Sequence, residues 1–197
     1  VKYGGGGDVP VFLVVVNMSS SPQKEFTTAA ENGHLEIVKL LLTDNRVDPS
    51  DNHNLAIRCA AKDGHLEVIK LLLEDPRVDP SKSIIIYAAL AGHLDVIKLL
   101  LEDPRVDPSD PHNFAIIWAA GAGHLEVVKL LLADDRVDPS AEQNWAIRCA
   151  ANDGHHKIVK LLLTDPRIFS SGPSIPCIKT ATSTIKLNIL MILAYMH

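Results

Sequence analysis

Five histidines of this 197-residue chain each follow a glycine: Gly33-His34, Gly64-His65, Gly92-His93, Gly123-His124 and Gly154-His155. The intervals are 31, 28, 31 and 31 residues. A regular histidine series invites a metal reading, but imidazole binds zinc at about 2.0–2.1 Å. If each histidine sits on its own helical unit, neighbouring helices lie about 8–10 Å apart and equivalent rings cannot share one ion. His155-His156 adds a neighbour, yet neither a cysteine nor a carboxylate joins it at ligand spacing. The expected role is a local hydrogen bond at the start of a helix. Asp63-Gly64-His65 and Asp153-Gly154-His155 resemble acid–base pairs, but no nucleophile accompanies them. Cys59 and Cys149 fall at the same place in units 2 and 5. At that separation they exceed the roughly 7 Å Cα limit for a disulfide, so they read as small buried hydrophobes. The glycine run Gly4 to Gly7 precedes no Lys-Ser/Thr pair and is no phosphate loop. The expectation is a protein that is not an enzyme and uses no cofactor and no metal.

The elements that carry these residues repeat with them. Ala-Ala stands three and four residues before each Gly, and Leu-Glu-Val-Ile-Lys-Leu-Leu-Leu or a close variant follows each His. Each unit reads as two short antiparallel helices and a loop. In unit 2 the first helix runs through Leu55 to Ala61. Asn54, Asn113 and Asn144 stand where an N-cap side chain accepts an orphan backbone N–H. Gly64 suits the left-handed residue that ends a helix. The second helix, His65 to about Glu74, places Leu66, Ile69, Leu72 and Leu73 on one apolar face. Glu67 lies near its positive end, and Asp75-Pro76 stops it. Lys39, Lys70, Lys98 and Lys129 each follow an acid by three residues, a surface pairing worth about 0.2–0.5 kcal/mol. Helices shorter than about 12–15 residues are marginal in water, so stability must come from stacking unit on unit. Unit 3 is three residues short and lacks the Asn; Ile84-Ile85-Ile86 favours strand, but stacking predicts a helix there and a notch in the loop edge.

This repeating A-A-x-x-G-H-L-E-x-x-K-L-L-L core, seen for instance from Ala119 to Leu132, resembles the ankyrin repeat. The resemblance covers 22–167 as five units and implies an all-α solenoid of stacked helix-turn-helix repeats. It departs in Leu55-Ala56-Ile57-Arg58 and its equivalents, which replace the usual T-P-L-H, and in a period shorter by two. It implies a scaffold that binds a protein partner on its concave side through loop tips and first helices. The corresponding variable positions are Asn52, His53, Lys62 and Asp63 in repeat 2, Leu90 and Ala91 in repeat 3, and Pro111, His112, Gly121 and Ala122 in repeat 4. Repeat 5 supplies Glu142, Gln143, Asn152 and Asp153. An apolar hot spot in repeats 3 and 4 is expected from Ile86, Leu90, Phe114 and Ile117, whereas Tyr87 and Trp118 are expected to fill the core between repeats.

Composition excludes other classes. Net charge is −5, and the repeats carry −7 from 16 basic and 23 acidic residues, which opposes counterion-releasing nucleic-acid binding. Aromatics are 5%, too few for a base-stacking platform. Three cysteines point to a reducing, intracellular (cytoplasmic) setting. Outside the repeats, 1–21 is expected to be a disordered N-terminal extension, with Ser21 capping a helix that Pro22 opens. Residues 168–197 hold no acidic residue and an apolar run from Leu187 to Met196, about half of a membrane span. They are expected to be disordered, a partial cap, or a tether to a membrane or assembly. That last role is the alternative to the scaffold reading, with the repeats as a spacer.

Overall fold

The computed structural model describes residues 21–80, 84–109 and 112–169, all helix, turn or loop, with no strand among them. Ten helices form five antiparallel pairs: α1 (Pro22–Glu31) with α2 (Leu35–Leu42), α3 (Asp51–Asp63) with α4 (Leu66–Leu73), and α5 (Ile84–Ala91) with α6 (Leu94–Glu102). Then come α7 (Phe114–Gly121) with α8 (Leu125–Leu132), and α9 (Ala141–Asn152) with α10 (His156–Leu163), closed by a 3-10 turn at Pro166–Phe169. The expectations for 1–20 and 170–197 lie outside the described residues, as do those for the shortened loop at 81–83 and for Pro111.

Stacking outweighs local preference in repeat 3, where the Ile-rich segment is helical and Ile84 and Ile85 are fully buried. First helices pack on one another through alanines. Ala60 and Ala61, Ala88 and Ala89, Ala119 and Ala120, and Ala150 and Ala151 are all inaccessible to solvent. With only a Cβ between backbones, this inner row packs more closely than the outer row of second helices. Ser21 caps α1 as expected, its Oγ accepting from the Lys24 N–H at 3.3 Å with Pro22 at the first helical position. On the outer helices the acid–lysine pairs form at 2.8–3.0 Å.

Three sets of hydrogen bonds cross from one helix pair or loop to another, and two of them correct the sequence reading. The periodic histidines do not bond locally. His65 reaches the Glu31 carbonyl at 2.8 Å, and His93, His124 and His155 reach Lys62, Leu90 and Gly121 at 2.9 Å, each in the preceding repeat. A carbonyl only accepts, so Nε2 carries the proton in each ring. The asparagines do not cap their own helices: Asn54 Oδ1 accepts the Asp79 N–H at 3.1 Å and Asn113 Oδ1 the Asp138 N–H at 2.7 Å. Gln23 makes the same bond to Asp48 at 2.8 Å in repeat 1. The third set belongs to the arginine two residues after each loop aspartate. Arg77, Arg105, Arg136 and Arg167 clasp that aspartate and donate to the Val47, Val78, Val106 and Val137 carbonyls of the preceding loop.

Candidate partner-binding face

Apart from Ile86 and Ile117, which lie within α5 and α7, the described site residues expected from sequence fall at the two ends of the inner helices. At the N-terminal ends the chain makes a left-handed turn of non-glycine residues: Asn52, His53 and Asn54 have φ of 50–60°, and Glu142, Gln143 and Asn144 of 52–61°. His112 and Asn113 are left-handed as well. Each residue there costs about 1–2 kcal/mol relative to the right-handed form, less for Asn, and the stacked repeats on either side hold it. Asn52, His53, His112, Glu142 and Gln143 are thereby lifted into solvent. The structure joins one pair of them across repeats, His112 Nδ1 with Glu142 Oε1 at 2.9 Å. At the opposite ends stand Lys62, Asp63, Leu90 and Asn152, all exposed.

Two expectations about the apolar centre are reversed. Ile117 is 1% exposed and unavailable to a partner, and Ile86 is half-buried. Ile117 shares a register with Arg58 and Arg148, which are half-buried; the shorter isoleucine is covered completely there. Trp118, expected in the core, is 39% exposed, and Leu90 is 47% exposed. Around Trp118 the rings cluster: Trp118 and Trp145 centroids are 6.1 Å apart, Phe114 meets Trp145 edge-on at 6.1 Å, and His112 lies 5.6 Å from Phe114. Trp145, which the sequence reading does not single out, belongs to this cluster, and Arg148 follows it by one turn on α9. A usable signal was present, because Arg58 and Arg148 are the two arginines with no aspartate two positions earlier.

Burial pushes the Cys59 and Cys149 thiols up, with Glu31 and Asp63 near the first and Asp153 near the second adding to the effect. Both stay protonated and unpaired, the opposite of an activated nucleophile. On the loops the direction is reversed. The guanidinium of the following arginine holds Asp75, Asp103, Asp134 and Asp165 below the usual carboxylate range, and Asp44 at about 2. Among the described residues no group of three or more His, Cys, Asp or Glu could hold a metal ion, and no helix is long and apolar enough to cross a membrane.

A family model described as ankyrin repeats in three copies matches residues 26–112 and 85–170, together well over half of the chain. No curated protein matches it. Ankyrin repeats are in general protein–protein interaction modules and typically not catalysts. Five stacked helix pairs, joined by histidines that reach back one repeat and carrying that match, make this chain a member of the ankyrin-repeat family.

Proposed function

We propose that the chain is a non-catalytic scaffold that binds a protein partner on its inner face, centred on Leu90 and Trp118. The observation that supports this most is their exposure on adjacent inner helices, beside a cluster of rings and rimmed by polar groups. Large side chains in such a setting dominate interface energies once desolvated. Leu40 is more exposed still, at 69%, but its equivalents Leu71, Leu99, Leu130 and Leu161 are half-buried. No repeat precedes it among the described residues, and it lies on the outer row. The exposed polar residues Lys62, Asn152, Gln143 and His53 would form the rim, and two free, partly buried thiols support a reducing, intracellular setting.

Partner capture by the full chain tests this reading. Leu90→Asp and Trp118→Ala should abolish capture without loss of helical circular dichroism, and Leu40→Asp should leave it intact. Capture that survives both inner-face substitutions would place the partner elsewhere.

A further inference from the structure

We propose that the inner face takes a peptide segment in which an apolar side chain is flanked by a carboxylate. The apolar group sits on Leu90 and Trp118, and the carboxylate is held by Arg148. This rests on the inner-face reading and adds the chemistry of the partner.

The argument starts from how the arginines are used. Five of them, Arg46, Arg77, Arg105, Arg136 and Arg167, clasp the aspartate two residues before them at 2.6–2.7 Å. Arg58 and Arg148 stand at one register of the inner helices, each with an alanine in that place. Arg58 is partly satisfied: Nη2 donates to the Asn52 carbonyl at 3.2 Å, and the guanidinium lies 5.8 Å from the Tyr87 ring centre. Arg148 makes no hydrogen bond or ion pair among the described residues, and its Nε, like that of Arg58, is buried without an acceptor. It stands one turn from Trp145 on α9, hence next to the ring cluster.

Acids of the same repeat do not answer this charge. Glu142 is held by His112 at 2.9 Å, and Asp153 accepts from the Asn152 amide at 2.9 Å. A half-buried arginine with its fork of donors unspent is matched by a carboxylate, which accepts two of them in one plane. An apolar contact alongside excludes water from that pair and strengthens it. The net charge of the repeats is negative, so the complementarity is local: one cation beside one apolar patch, calling for one or two acids and not an acidic tract.

The test is a displayed library of random 12-residue peptides, selected in parallel on the full chain and on its Arg148→Glu variant. Affinities are read from the emission of Trp118 and Trp145, the chain's two tryptophans, both in the site. The expected result is enrichment of Asp or Glu beside an apolar residue on the native chain, exchanged for Lys or Arg on the variant. A selected acidic peptide should bind about tenfold more weakly to Arg148→Gln. Peptides that shift the emission and are lost with Leu90→Asp, yet show no charge preference on either protein, would overturn the carboxylate and leave the inner face standing. Peptides indifferent to Leu90→Asp and Trp118→Ala, or no enrichment at all, would overturn both.

Discussion

Gly92 and Gly154 occupy the same position in their repeats at nearly the same φ, 82° and 79°, yet their surroundings differ. A Cβ at Gly92 would meet the His124 ring at 2.5 Å, whereas one at Gly154 would meet nothing within 4 Å among the described residues. The asparagines differ likewise. Asn113 Oδ1 receives the Asp138 N–H, but Asn144 Oδ1, in a side chain 1% exposed, has no partner among the described residues. The residue 25 positions on is an Asp in the earlier repeats and Phe169 here, where the chain enters a 3-10 turn. At the other end Arg46 clasps Asp44, and no loop precedes it among the described residues. The difference teaches that these residues serve the seam between repeats and not the repeat that contains them.

The largest contrast should come from the glycines. Gly92→Ala combines left-handed strain with loss of the His124 bond, together about 2–3 kcal/mol, against about 1 kcal/mol for Gly154→Ala. Urea unfolding midpoints check this, and equal losses would mean that the histidine seam carries no stability. Next come the arginines. Arg167→Ala removes bonds to the Val137 and Leu132 carbonyls and should cost about 1–2 kcal/mol, while Arg46→Ala should leave the midpoint unchanged. The asparagines should differ in sign. Asn144→Gly relieves a buried orphan oxygen and a left-handed side chain, and should stabilise by about 1 kcal/mol, whereas Asn113→Gly strands the Asp138 N–H and should not.

The smallest effect is the acid response. The loop aspartates titrate lower folded than unfolded, so their contribution is complete above the unfolded value of about 4 and is lost as pH falls through the folded one. Thermal midpoints should therefore hold from neutrality to about pH 4 and decline toward pH 2. Asp165→Asn should flatten the decline more than Asp44→Asn, because Arg167 links its aspartate to the loop before it.

The helix pairs, the left-handed glycines and the surface lysine pairs were legible because each follows from spacing within about one turn or from a residue's own conformational freedom. The destinations of His65 and Asn54 were not. Periodicity marks a position as constrained without saying whether the constraint is its own helix or the next, and bonds spanning 25 or 34 residues leave no local trace. Ile117 and Trp118 show a second limit. They are neighbours on α7, one turned inward and the other outward by the helical step, and both are apolar; only the packing of α5 and α9 on either side decides which is covered. The three-residue left-handed turns were missed because Glu142 and Gln143 carry no intrinsic signal for that conformation.

The histidine links end on main-chain oxygens, and the residues that own those oxygens are Glu31, Lys62, Leu90 and Gly121. An acid, a base, an aliphatic and a glycine are interchangeable there because every residue type brings the same acceptor. The joint between repeats is thus blind to the identity of the side chain mounted above it. What this row presents to a partner is free to be rewritten while the latch beneath it stays the same.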